Sequence, residues 1–248
     1  MVTLDRVSVC YRLPQEPIGS FKEYAIRRLQ GRVRHRELWG LREISLKVLP
    51  GEILGVIGRN GAGKTTLLKV IARVLRPTSG GVRVVGHVAP LIDLGPGFHP
   101  ELTGRENVFM NGALLGRTAR AVQDRLNEIL EFSELGEFID APLRTYSSGM
   151  VARLGFAVAT AWQPDILLLD EVLAVGDEAF QQKCRLRLEG FRAKGSTVLL
   201  VSHNGAIIKK MCQKALWLDR GFVKAIGKAD SVTDQYCAAA GVSLDPGG

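Results

Sequence analysis

The sequence predicts an α/β fold in which a parallel sheet is covered on both faces and a mainly helical lobe interrupts the chain near its middle. Three observations point there. Short apolar runs of strand length alternate with segments of helical periodicity, the order that builds parallel sheets. One such run passes through a glycine-rich turn straight into a helix-favouring segment. Around residues 101–162 helical signals crowd together.

β-like stretches open the chain at residues 2–11 and 43–48, where Ile44, Leu46 and Val48 alternate with polar residues. Residues 52–57 read as a buried strand and 64–75 as the helix after the glycine turn. In the helical lobe Thr103 stands three residues before Glu106, the spacing of a capping box, and Val122, Leu126 and Ile129 share one face of a helix over 119–131. After Pro164 come a strand at 166–169, a helix near 180–192, a strand at 197–201, a short helix from Gly205, strands at 215–218 and 222–225, and a closing helix.

The chain has 248 residues, 46% hydrophobic and 23% charged, an ordinary soluble composition that excludes a disordered or fibrous protein. No apolar run reaches the roughly 18–20 residues that span a bilayer, and the N-terminus lacks the basic and apolar regions of a signal peptide, so a cytoplasmic protein is expected. Cys10, Cys184, Cys212 and Cys237 lie far apart without metal-ligand spacing, so reduced, packed thiols are expected. A net charge of +8 favours an anionic partner without choosing among nucleotide, nucleic acid and lipid headgroups.

Gly58-Arg59-Asn60-Gly61-Ala62-Gly63-Lys64-Thr65 is a glycine, four residues, then Gly-Lys-Thr, set between an expected strand and an expected helix. Glycines let the backbone curl so that successive N–H groups point at phosphate oxygens, and the helix starting near Lys64 adds the positive end of its dipole. In that setting Gly58, Asn60, Gly61, Ala62 and Gly63 cradle a nucleotide, Lys64 reaches its β- and γ-phosphates, the Thr65 hydroxyl meets Mg²⁺ and Thr66 touches the α-phosphate. A plain glycine turn would not need the full pattern in this place.

The run Ile166-Leu167-Leu168-Leu169 delivers Asp170 and Glu171 to the C-terminal edge of the sheet, where ligands of open α/β sheets bind. Asp170 is placed to hold Mg²⁺ directly or through water, and Glu171 to orient and deprotonate an attacking water. Alone, an Asp-Glu pair after apolar residues reads as a solvated strand end; the cradle upstream gives it a job.

Three more segments narrow the class. Tyr146-Ser147-Ser148-Gly149-Met150 leads a helix containing Arg153, Ala174-Val175-Gly176-Asp177 follows the acidic strand, and Val201-Ser202-His203 ends the next strand. In this order they resemble the signature motif, D-loop and switch histidine of the ABC ATPases, over residues 4–236. The resemblance implies a P-loop NTPase with a RecA-like core sheet, a small antiparallel β subdomain and an inserted helical subdomain, the whole of 1–248 being one nucleotide-binding domain. It also implies ATP and Mg²⁺ as ligands and ATP hydrolysis as the activity. Two copies would face each other head to tail, so that Ser147 and Gly149 complete the site holding the partner's nucleotide. His203 would bond the γ-phosphate and steady the water near Glu171, and Asp177 would communicate between the two sites. Tyr11 matches the aromatic that stacks on adenine, with ordinary packing an equal reading. Ser147 is equally a helix cap by residue type.

The chain departs from the commonest family pattern. Tyr146, Ser148 and Met150 replace Leu, Gly and Gln of the signature, and Gly176 stands where the D-loop has leucine. No Q-loop glutamine occurs in residues 87–98, leaving Asp93 as a polar substitute on the metal side. Together with Leu94-Gly95-Pro96-Gly97-Phe98-His99-Pro100, Thr103-Gly104-Arg105-Glu106-Asn107 and a basic insertion over 14–38, these features resemble exporters of lipid-linked polysaccharide, O-antigen or teichoic-acid polymers. That implies a separate integral membrane permease and a peripheral position on the cytoplasmic face of the inner membrane. Some relatives carry a further C-terminal carbohydrate-binding domain, and here the tail Asp245-Pro246-Gly247-Gly248 leaves it either absent or removed. Residues 93–98 are expected to form part of the surface that senses the permease.

The insertion has capping-box spacing at Ser20 and Glu23, and Ile18, Phe21, Ala25 and Leu29 recur at helical intervals, so an amphipathic helix is expected from Phe21. Lys22, Arg27, Arg28, Arg32, Arg34 and Arg36 against Glu23 give it a local charge of +5, suited to anionic headgroups or to plain solvation. The competing class is a soluble ABC protein acting on nucleic acid or ribosomes, but such proteins carry two cassettes or a long coiled-coil insertion, which this chain lacks; no nucleic acid is expected. A small-molecule kinase on the same cradle would not need Ser147 and His203 in these places.

Overall fold

A computed structural model of the chain describes residues 1–14, 35–91, 97–171 and 177–241. The expected helix from Phe21, the Asp93 substitution site with Gly95 and Pro96, the segment Ala174-Val175-Gly176 and the Asp245–Gly248 tail lie outside the described residues. In chain order the elements are β1 (Val2–Pro14), β2 (His35–Val48), β3 (Ile53–Ile57), α1 (Lys64–Ile71), β4 (Ser79–Val84), β5 (Val88–Leu91), α2 (Gly104–Leu114), α3 (Ala119–Ser133), α4 (Ser148–Ala159), β6 (Ile166–Asp170), α5 (Glu178–Ala193), β7 (Thr197–Val201), α6 (Gly205–Met211), β8 (Lys214–Asp219), β9 (Phe222–Lys228) and α7 (Ala229–Ala240).

The main sheet runs β5-β6-β7-β3-β8-β9 and a small antiparallel sheet runs β2-β1-β4. Strands β5, β6, β7, β3 and β8 are mutually parallel and β9 is an antiparallel edge. Side chains of a strand alternate between faces, so a parallel strand covered on both sides must be apolar at every position. Strand β6 follows that rule: Leu167 and Leu169 enter a core shared with α2 to α7, while Ile166 and Leu168 enter a second core under α1 and the antiparallel sheet. Strand β7 splits likewise, with Val198 and Leu200 on the first side and Leu199 and Val201 on the second.

The fold class agrees with expectation, and the structure adjusts the element boundaries. Strands β1 and β2 continue as an antiparallel ribbon to Pro14 and His35, with Tyr11 opposite Leu38 and Arg12 opposite Glu37. Residues 35–38, read from sequence as insertion, are therefore paired backbone. Their ladder, rather than any apolar alternation, holds them extended. Helix α1 stops at Ile71, not at residue 75, because Arg73 adopts φ +61° and its guanidinium turns to donate to the Val84 carbonyl at 2.6 Å. Strands β4 and β5 carry little sequence signal: β4 is mostly exposed, and β5 is a four-residue sheet edge in which Pro90 is tolerated.

Between β5 and β6 the helices pack around Phe132, Phe156 and Phe180, whose rings lie 5.7–6.5 Å apart. Helix α2 starts with the expected capping box of Thr103 and Glu106. Asn107, fully buried, accepts from His99 N–H at 2.7 Å and donates toward the carbonyls of His99, Leu102 and Thr103 at 2.9–3.1 Å. Asn111 donates to the Gly97 carbonyl at 2.6 Å. These two amides tie residues 97–103 to the helical lobe.

Candidate active site

Three strand ends converge at the C-terminal edge of the main sheet. Strand β3 feeds the glycine loop and α1, β6 ends at Asp170 with Glu171 following, and β7 leads through Ser202 to His203. Because β7 lies between β6 and β3, its terminal histidine emerges between the acids and the loop. Gly63, the N-cap of α1, has φ +106°, and a side chain there would run into the Gly40 carbonyl, so only glycine closes this turn. The first-turn N–H groups of α1 are thereby left facing the loop mouth.

Thr65 Oγ1 donates to Asp170 Oδ2 at 2.7 Å, across a gap of 105 residues in sequence. Lys64 is only 6% exposed, and its Nζ donates to the carbonyls of Gly58 at 2.8 Å and Arg59 at 3.2 Å, with Glu171 Oε1 at 3.9 Å. Burial holds the Lys64 ammonium below the usual lysine range, while the charges of Glu171 and Asp170 pull it back up. Glu171 Oε1 lies 3.1 Å from His203 Nδ1. Glu171 itself sits at φ +54°, its N–H donating to the Val201 carbonyl at 3.0 Å, so main chain holds the carboxylate in a conformation that most residues avoid. Asn204 caps α6 and donates its N–H to Ser202 Oγ at 3.0 Å, which steadies the residues on either side of His203.

A cavity of about 690 Å³ opens over these groups, within the range of small-molecule sites. Its lining includes the expected Tyr11, Asn60, Gly61, Gly63, Lys64, Thr65, Thr66, Asp170 and Glu171. Gly58 and Ala62 belong to the same loop without lining the cavity. Leu38, Trp39 and Gly40 also line it and were missed from sequence, since only the long-range pairing of β2 with β1 brings them there. The structure does not bring Ser147 or Gly149 to this chain's own cavity. Exposed Ser147 is the N-cap of α4, accepting from Met150 N–H, and Asp177 caps α5 while pairing with Arg153 at 2.8 Å. Asp93, expected on the metal side, lies outside the described residues. Cys184 and Cys212 are buried, their thiols pushed up to about 12 by desolvation, as inert packed thiols.

The residues present fit a magnesium nucleotide. The cradle offers backbone donors and a lysine whose ammonium donates to the loop carbonyls of Gly58 and Arg59, which phosphates can replace, with Glu171 as its nearby counter-charge. Mg²⁺ takes few protein ligands beside phosphate oxygens and water, and the paired Thr65 hydroxyl and Asp170 carboxylate are a donor set of that kind. When bound, the ion neutralises charge building on the phosphates. Among the described residues no group of three or more His, Cys, Asp or Glu forms a separate metal site, and no helix is long and apolar enough to cross a membrane.

The family model described as ABC transporter matches residues 41–174. The O-antigen export system ATP-binding protein RfbB of Myxococcus xanthus is 48% identical over 220 residues, 88% of this chain and 50% of the relative, so the chain spans about half that relative's length. RfbB of Klebsiella pneumoniae is 48% identical over 204 residues, covering 82% of this chain and 83% of the relative. The teichoic acids export ATP-binding protein TagH of Lactococcus lactis is 43% identical over 201 residues, covering 81% of this chain and 43% of the relative. Among solved structures, a dimeric post-hydrolysis state of the ATP-binding cassette MJ0796 bound to ADP and Pi superposes with a TM-score of 0.76 over 92% of this chain and 99% of that one, at 23% identity, a likeness of fold. On its cradle, its converging carboxylates and these matches, the chain belongs to the ABC transporter family.

Proposed function

We propose that this cassette powers export of a lipid-linked polysaccharide or teichoic-acid-type polymer through a separate membrane permease, acting as a head-to-tail dimer at the cytoplasmic face of the membrane. The observation that carries the ATPase half of the reading is the meeting of Thr65 with Asp170 and of Lys64 with Glu171 around one cavity, with His203 against Glu171 from outside its lining. Lys64 binds the β- and γ-phosphates, Thr65 and Asp170 hold Mg²⁺, Glu171 takes the proton of the attacking water, and His203 orients that carboxylate and meets the γ-phosphate. Ser147, exposed at the N-terminus of α4, serves the nucleotide of the opposite copy, as does the Gly149 backbone, with Asp177 communicating between the sites. The polymer class rests on the relatives' names and on the motifs at residues 94–100 and 103–107.

The surface around residues 93–98 receives the permease. Its described end is tied to α2 by Asn107 and Asn111, so a displacement there moves the helical lobe that carries Ser147. Expression with the neighbouring permease tests the reading: copurification, and ATP turnover stimulated by a lipid-linked glycan acceptor, support it. Copurification with RNA and stimulation by RNA would replace it with the soluble alternative.

A further inference from the structure

Tyr146 opens the signature stretch where the commoner pattern has leucine. It lies between the 3₁₀ turn Leu143–Thr145 and Ser147, the N-cap of α4, so its backbone is the joint from which that helix sets out. Its ring is half-buried against the main core, as a leucine side chain would be. The hydroxyl does what leucine cannot: it donates to the Phe138 carbonyl at 2.5 Å and accepts from the Gly104 N–H. It sits so close over Gly104 that a Cβ there would collide with it, an approach that glycine permits. Burial pushes the phenol above the usual tyrosine range, with the Asp140 charge adding to the rise and the Gly104 N–H opposing it. The group therefore stays a neutral donor near pH 7.

Both partners of this hydroxyl are themselves held. The turn Gly136–Asp140, which carries Phe138, is tied to α2 through Asp140, which accepts from Arg105 Nε at 2.7 Å and Nη2 at 3.1 Å. Residues 141–144 run antiparallel to residues 100–104, with Thr103 opposite Pro142. Leu143 N–H donates to the Leu102 carbonyl and Arg144 N–H to the Pro100 carbonyl, both at 2.9 Å, and Gly104 N–H donates to the Ala141 carbonyl at 3.2 Å. This short ladder ends at Arg144, and the Tyr146 hydroxyl carries its hold across to the residue beside Ser147. Ser147 and Ser148 are exposed and bring no packing of their own. Ser147 Oγ accepts from Met150 N–H at 3.2 Å, which leaves its proton free to donate outward. A donor that must meet a phosphate on another chain gains from being fixed beforehand, since a misplacement of about 1 Å can cost roughly 10²-fold in rate.

We propose that Tyr146 is a positioning residue of the composite site, its hydroxyl anchoring the signature to the start of α2 and so presetting Ser147 for the nucleotide of the opposite copy. The proposal rests on the reading that Ser147 serves the opposite copy. Tyr146→Phe keeps the ring and removes only the oxygen, and water reaches the exposed Phe138 turn, so the melting temperature is expected to stay within about 3 °C of wild type. Calorimetric ATP affinity of the single chain should be unchanged, because Tyr146 lies outside its own cavity. The test places the substitution on one chain at a time in mixed dimers of Ser147→Arg with Lys64→Ala, where the one intact site joins Lys64 of the first chain to Ser147 of the second. Tyr146→Phe on the Lys64→Ala chain should lower the recovered phosphate release roughly tenfold, and on the Ser147→Arg chain should leave it unchanged. Equal loss from both placements would mean a general disturbance of the cassette and overturns the proposal, as does no loss from either. Absence of recovery in the parent mixture, with Tyr146 intact on both chains, would instead remove the underlying reading of Ser147.

Discussion

Replacing Glu171 by Gln changes charge at nearly constant shape, and the structure gives its cost in stability and in rate separately. The carboxylate lies 3.9 Å from Lys64 Nζ. At an effective dielectric of about 20 the attraction is about 4 kcal/mol. The Glu171 side chain is 40% exposed, so solvent screening brings its worth down to about 1 kcal/mol. The amide oxygen of Gln still accepts from His203, so the melting temperature should fall by only about 2–4 °C. The chemical step loses its base, and turnover should fall roughly 10²- to 10⁴-fold, or about 3–5 kcal/mol of barrier. Phosphate release, calorimetric ATP binding and thermal unfolding on one preparation read all three quantities, with affinity near wild type and a nucleotide-clamped dimer accumulating. Turnover within threefold of wild type would refute Glu171 as the base and shift attention to His203. A melting temperature lowered by more than 10 °C would refute the electrostatic reasoning.

Asn107→Ala should destabilise the chain by about 2–4 kcal/mol in urea unfolding, because it strands the His99 N–H and the carbonyls of the 97–103 turn; a loss below 0.5 kcal/mol would mean water replaces the amide. Mixing Ser147→Arg chains with Lys64→Ala chains, each inactive alone, should restore one composite site per mixed dimer; absence of turnover in verified mixed dimers would leave Ser147 as only the cap of α4. The Asp177 carboxyl is held below its ordinary 3.8 by the Phe180 N–H and then by Arg153, so its contribution is full above pH 3.8 and fades as pH falls through the lower folded value. The urea midpoint of Asp177→Ala should accordingly lie below wild type at pH 7, with the gap narrowing as pH falls below 3.8, and a gap constant with pH would contradict the carboxylate cap.

The glycine loop, the acids after Leu169, the capping box at Thr103 and the apolar runs of β6 and β7 were legible in the sequence alone. Each is a local pattern, in which turn geometry, cap chemistry or burial on both faces acts over fewer than ten residues. Local pattern also named Lys64, Thr65, Asp170 and Glu171 one by one, while His203 came only from the resemblance of its strand end to the family's switch histidine. Their meeting was decided by the order β6-β7-β3, which places Thr65 against Asp170 and His203 against Glu171. The extension of β1 and β2 to Pro14 and His35, and with it the position of Trp39 at the cavity wall, left no periodic trace, since a backbone ladder constrains hydrogen bonds and not side-chain type. Ser147 read equally as a cap and as a ligand, and in the single chain it caps a helix away from the cavity; that tie depends on which surfaces two folded copies bring together, a matter settled by tertiary shape because contact energy falls off within a few ångströms while sequence separation carries no distance.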